Sequence, residues 1–155
     1  MRLHGIGRGA WLGAAAGFAA MAVVAAYAAT PDEVIAERRA GYKHQGEVFK
    51  AMKDGIEAGA DVKQFADGAA YIVDWAGKIP TMFPPGTETG GGTHALPTVW
   101  SERPGFDKLS AQLKVEAEKL QQVALTGDKA AFLAQFKQTG GVCGECHRTY
   151  RAKLQ

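Results

Sequence analysis

The chain has 155 residues, with 18 Lys and Arg against 16 Asp and Glu, only two cysteines, and 46% hydrophobic residues. Arg2 and Arg8 stand near the start, so the rest of the chain carries 16 basic against 16 acidic side chains and is close to neutral. That balance excludes nucleic acid and polybasic membrane contact as partners.

The first residues read as a processing signal. Arg2, His4 and Arg8 precede an uncharged, Ala-rich run from Ala10 to Ala29, and Ala26-Tyr27-Ala28 supplies an A-x-A cleavage signature. Residues 1–28 are therefore expected to be a cleaved secretory signal peptide. The run is long enough to span a membrane, which makes a retained anchor the competing reading, but it holds little Leu, Ile or Phe. Residues 29–155 are then one domain of roughly 127 residues, sufficient for a single core.

Thr30-Pro31-Asp32-Glu33 opens the first helix, with Thr30 as cap, Pro31 at the first helical position and Glu33 closing a capping box. Ile35, Arg38, Tyr42, Gln45, Phe49, Met52 and Ile56 recur at steps of three and four. The centre of that seam is polar, so it is expected to face something other than hydrocarbon. Asp61 begins a second helix with Phe65, Ala69, Ile72, Ala76 and Ile79 on one face, and Pro80 stops it. Residues 81–97 form a loop rich in Pro and Gly, followed by Trp100, which is expected to plug the core.

A third helix starts around Pro104 and carries Phe106, Leu109, Leu113, Ala117, Leu120 and Ala124, with Val115 and Val123 placed to widen the seam. Thr126-Gly127-Asp128 ends it and caps a fourth helix, whose one side bears Phe132, Phe136, Cys143, His147 and Tyr150. Gly140 and Gly141 precede the cysteines and are expected to let a flat group approach the backbone. Strand-like alternation is absent. The predicted fold is all-α, an antiparallel left-handed four-helix bundle.

Cys143-Gly144-Glu145-Cys146-His147 reads C-x-x-C-H, the attachment sequence for a c-type haem, and contains both cysteines of the chain. Two thiols three residues apart share a helical face and can each add to a haem vinyl group, while the adjacent imidazole falls under the iron. A redox C-x-x-C calls for a βαβ setting, and zinc calls for four ligands, whereas His4, His44 and His94 are scattered. Cys143 and Cys146 are thus the expected covalent tethers, and His147 the axial iron ligand. Met52, Met82 and His44 are the side chains available for a sixth ligand. By position Met52 reads as core filler, Met82 as packing and His44 as surface.

The C-x-x-C-H motif runs on as Arg148-Thr149-Tyr150-Arg151. Together with Arg38 in the first helix, Phe83-Pro84-Pro85-Gly86-Thr87, Trp100 and Thr126-Gly127-Asp128, it makes the chain resemble the cytochrome c′ family, the class II c-type cytochromes. The resemblance implies one covalent haem c inside one end of the bundle, usually with a fifth ligand only. It implies that Arg38 pairs with a haem propionate, with Arg39 next to it where the family often has Gln. It brings Thr87 and Glu88 near the haem edge and puts Arg151 on the proximal side. Tyr42 falls at the position over the open iron face. A Met there would make a six-coordinate haem. A neutral tyrosine, with a reference pKa of about 10, is a poor ligand to ferrous iron.

The expected function follows from the resemblance: a periplasmic mono-haem cytochrome, not an enzyme, that exchanges electrons with periplasmic redox partner proteins. It is also expected to bind small gases, NO or CO, at a five-coordinate iron. The alternative is a low-spin six-coordinate carrier with Met52, Met82 or His44 as ligand. A haem peroxidase is more remote, since no distal acid–base group is evident. Family members commonly form homodimers through the first two helices, and Val34, Val48 and Val73 lie outside the seams, where they would supply that face or widen the core.

Overall fold

The computed structural model describes residues 29–153, so the predicted signal segment 1–28 lies outside the described residues. The long helices are α1 (Pro31–Glu57), α2 (Ala66–Lys78), α4 (Arg103–Thr126) and α5 (Lys129–Tyr150), with a single-turn helix α3 (Thr98–Ser101) before α4. They form an antiparallel four-helix bundle, and no strand occurs among the described residues.

Local chemistry sets the boundaries. Thr30 and Glu33 make the reciprocal capping box that starts α1. Asp128 accepts from the Ala131 amide at the start of α5, and Gly127 closes α4 at φ 80°, a left-handed C-cap that favours glycine. The second helix departs from expectation at both ends. Asp61 caps a 3₁₀ turn (Val62–Phe65) instead of an α-helix, and α2 begins only at Ala66. Pro80 does not stop the helical path; it sits in the first positions of a second 3₁₀ turn (Ile79–Met82), where a missing N–H costs nothing.

α2, α4 and α5 pack as one unit. Ala69, Ile72, Ala117, Leu120, Ala124 and Phe132 are fully buried between them. Val123 joins this core at its edge, but Val115 is 46% exposed and widens nothing. α1 is held differently. It meets α2 through Gly41, where a Cβ would stand 2.1–2.4 Å from the Trp75 ring, and through the Tyr71 hydroxyl, which donates to the Gly41 carbonyl at 3.0 Å. Toward α5, Phe49 stacks on Phe136 with ring centroids 4.2 Å apart. Gly140 lies beside this stack, where a Cβ would touch the Phe49 ring at 3.4 Å. Above that stack a cavity lies between α1, α4 and α5.

Candidate haem site

The cavity has a volume of about 750 Å³ and opens to solvent. Tyr42, Gln45 and Phe49 line it from α1, Phe106, Leu109 and Leu113 from α4, and Val142, Cys143, Cys146, His147 and Tyr150 from α5. Ile79, Phe83 and Val99 close the inner end. Its size and its mostly apolar walls are those of a cofactor site. The polar middle of the α1 seam faces this space and not the packed core.

The attachment chemistry fits. Both thiols line the cavity and are free. Burial raises the Cys143 pKa, and burial together with the neighbouring Cys143 pushes Cys146 up to about 11, so both are held as neutral thiols. His147 stands at the cavity edge. Partial burial, and then the nearby Arg151 cation, lower its pKa, which favours the neutral imidazole that ligates iron. Gly141 meets no protein atom within 4 Å of a built Cβ, so its side of the helix is open.

Arg38 lines the cavity yet is only 2% exposed. Its Nη1 donates to the Met82 carbonyl at 3.3 Å and the Thr87 hydroxyl at 2.8 Å. Its Nη2 donates to the Thr87 carbonyl at 2.7 Å and the Thr93 hydroxyl at 2.5 Å. The guanidinium also lies over the Phe83 ring, 4.5 Å from its centroid. The loop 81–97 is therefore wrapped around a buried cation. Sequence reasoning assigned Arg38 to a propionate and missed this clasp, because its partners Thr87 and Thr93 lie far away in the chain. Arg39 lines the cavity and donates to the Gly91 carbonyl at 2.8 Å. Three consecutive positive-φ glycines, Gly90 to Gly92, make that turn.

Thr87 and Glu88 do not line the cavity. Thr87 is buried against Arg38, and exposed Glu88 accepts from the Gly86 amide at 3.1 Å. The far end of the loop is tied to the end of α5. Leu96 donates to the Tyr150 carbonyl at 2.9 Å and Ala152 to the His94 carbonyl at 2.8 Å, around an isolated Ala95–Arg151 bridge. Exposed Arg151 lines the cavity close to His147. Trp100 seals the top from α3, its indole N–H donating to the Phe83 carbonyl at 3.1 Å.

Tyr42 packs edge-on against Trp75, with centroids 5.5 Å apart, and turns into the cavity. Burial raises its pKa far above the ordinary phenol value, so the hydroxyl stays protonated. None of the three sixth-ligand candidates lines the cavity. Met52 is 1% exposed in the core beneath Gly68. Met82 packs against the core beside Phe83. His44 sits edge-on to Tyr71 on the outer face of α1, its side chain 55% exposed.

A helical bundle that holds two thiols and an imidazole in C-x-x-C-H spacing on the wall of an apolar cavity defines a c-type cytochrome. A family model described as Cytochrome C′ matches residues 33–151, and the chain belongs to that family. It is 37% identical over 130 residues to the cytochrome c′ of Rhodopseudomonas palustris, covering 82% of this chain and 87% of that one. A solved cytochrome c′ with a ligand-controlled dimer dissociation superposes at a TM-score of 0.78 and 28% identity, covering 82% of this chain and all of that one. The nitric oxide complex of a variant Alcaligenes xylosoxidans cytochrome c prime superposes at 0.73 with 25% identity, covering 83% of this chain and all of that one. As a member of this family the protein binds one covalent haem c.

Proposed function

We propose that this protein is a periplasmic electron carrier and gas-binding cytochrome whose haem iron is five-coordinate. Cys143 and Cys146 form the thioether tethers, and His147 is the single protein ligand. When bound, the haem supplies a one-electron ferrous–ferric couple and an open position for a neutral diatomic such as NO or CO. One observation carries the reading: α1 presents Tyr42 to the cavity, while Met52, Met82 and His44 all point elsewhere. A protonated phenol is a poor iron ligand, so Tyr42 narrows the open side without filling it.

The surrounding residues have separable tasks. Phe83, Phe106 and Leu113 exclude water from the inner end. Arg38 supplies a fixed positive charge inside the loop clasp, and its remaining reach is toward a haem carboxylate. Arg151 weakens the proton affinity of His147 and favours the electron-rich form of the site. Arg39, Lys43, Lys50, Lys53 and Arg151 ring the cavity mouth, and no carboxylate among the described residues lines it. Glu47, Asp54 and Glu57 pair with the three lysines one turn on, at exposed sites where such pairs contribute little. This rim suits an acidic redox partner. Val34 on α1 is half-buried, and Val48 and Val73 are partly used by the core; the α1–α2 face they share is where a homodimer would form. Resonance Raman and magnetic resonance spectra of the ferric protein test the coordination. High-spin five-coordinate signatures are expected, and a low-spin signature abolished by Met52→Ala would establish the six-coordinate alternative.

A further inference from the structure

Gly46 is a glycine that the packing does not use. It lies inside the 27-residue helix α1, where glycine costs stability relative to alanine. The other two glycines of α1 make room for rings: a Cβ on Gly41 would run into Trp75, and one on Gly55 into Phe65. A Cβ on Gly46 would meet nothing within 4 Å, yet the residue is exposed and lines the cavity. It therefore stands at the mouth.

Its neighbours along the helix are charged. Arg39, Lys43, Gly46, Lys50 and Lys53 recur at steps of four and three, so they share one stripe of α1. All five are exposed, and all line the cavity. The stripe is thus a row of four cations with a gap at its centre. Glu47, Asp54 and Glu57 pair with the lysines from positions that do not line the cavity. Such exposed pairs are weak, so an incoming carboxylate exchanges with them at little cost. Val48, which packs against Gly68 of α2, lies two residues from Gly46 and about 200° around the helix. A homodimer through α1 and α2 would therefore leave the stripe free.

A haem that fills the cavity from its tethers on α5 meets solvent where the cavity opens, and α1 forms one lip of that opening. We propose that this lip is the electron-entry surface: its cations orient a redox protein with an acidic docking face, and Gly46 is the point of closest approach. The inference rests on the electron-carrier reading above and gives that exchange a place. One electron moves: the partner's redox centre is oxidised, the haem iron passes from ferric to ferrous, and no bond or proton is transferred. Clustered charge of one sign raises encounter rates by about 10–10³-fold at low ionic strength. A side chain at position 46 would hold the partner off the opening.

The test follows oxidation of the intact ferrous protein by stopped flow with two inorganic acceptors, anionic hexacyanoferrate(III) and cationic tris(phenanthroline)cobalt(III). Lys43→Gln/Lys50→Gln/Lys53→Gln removes three charges from the lip. Lys108→Gln/Lys114→Gln/Lys119→Gln removes three from α4, at positions that do not line the cavity. The lip variant is expected to react about ten-fold more slowly with the anionic acceptor at low salt, with the difference shrinking at high salt. It should react no more slowly with the cationic one, and the α4 variant should stay within two-fold of the parent. Poly-L-glutamate, a soluble stand-in for an acidic face, should slow the anionic acceptor in the parent but not in the lip variant. Gly46→Leu is expected to slow both acceptors at every salt concentration with spectrum and potential unchanged, and Gly46→Ala to match the parent rates with a higher Tm. Equal losses in the lip and α4 variants overturn the inference, as does a Gly46→Leu protein with parental rates. A Gly46→Leu protein with an altered spectrum seats that position against the haem and also overturns it. Poly-L-glutamate without effect on any rate overturns the docking claim. A parent that reacts with neither acceptor overturns the electron-carrier reading itself; one that reacts with both while the lip variant changes nothing overturns this inference alone.

Discussion

Replacing Arg38 by Met tests whether the loop clasp stabilises the haem pocket. Four hydrogen bonds leave the guanidinium for the loop, all to neutral acceptors. Without it, the Thr87 carbonyl is buried with no donor, at about 1–3 kcal/mol. The Thr87 hydroxyl still donates to the Pro84 carbonyl, and the Thr93 hydroxyl still accepts from Ala95, so each loses one charge-assisted bond and not every partner. At about 1 kcal/mol for each of these, the sum is about 3–5 kcal/mol. Relief from burying a cation opposes this loss. That relief is modest, because guanidinium is weakly hydrated and this one rests on the Phe83 ring at 4.5 Å. For a domain of this size about 1 kcal/mol moves the midpoint by about 3–5 °C, so Arg38→Met should lower Tm by roughly 10 °C. Thermal unfolding by circular dichroism reads the midpoint, and amide exchange at Thr87 and Thr93 reports whether the loop opens first. A midpoint within 2 °C of the parent, with protection at those amides unchanged, refutes the reasoning.

Gly41→Ala sets helix propensity against packing. Alanine gains up to about 1 kcal/mol in a helix interior, but its Cβ would meet the buried Trp75 ring at 2.1 Å, and overpacking costs about 1–3 kcal/mol or more. Packing should win, giving a lower Tm and an altered near-ultraviolet signal of the indole; a stabilised variant contradicts the close α1–α2 contact. Burial raises the Tyr42 pKa above its unfolded value near 10. The stability this group contributes is therefore fully present below about pH 10 and declines only as pH rises beyond it. Visible spectra from pH 5 to 10 should show no phenolate-to-iron charge-transfer band, and its appearance in that window would contradict a neutral Tyr42.

The long helices apart from the ends of α2, the capping box at Thr30 and Glu33, the Asp128 cap and the attachment motif were legible, because each rests on local rules of period three and four or on fixed spacing. The polar centre of the α1 seam also gave the right hint, since Tyr42 and Gln45 do face the cavity. What escaped the sequence is tertiary. The Arg38 clasp joins residues about fifty positions apart, and no local pattern announces that Thr87 and Thr93 will converge on one guanidinium. Thr87 and Glu88 were expected near the haem edge; Thr87 bonds Arg38 in that clasp, and Glu88 accepts from the Gly86 amide of its own turn. Gly140 was expected to admit a flat macrocycle; a Cβ there would touch the Phe49 ring at 3.4 Å, an ordinary contact distance. Val115 looks outward because it lies two residues from both Leu113 and Ala117, about 200° around the helix from the seam.

The central claim is that the iron has one protein ligand and an open side walled by Tyr42. Adding carbon monoxide to the dithionite-reduced protein and recording the visible spectrum tests it most directly. A high-spin ferrous spectrum is expected that converts, on addition of the gas, to an intensified and shifted Soret band with saturable binding. A sharp low-spin ferrous spectrum that carbon monoxide leaves unchanged would contradict it.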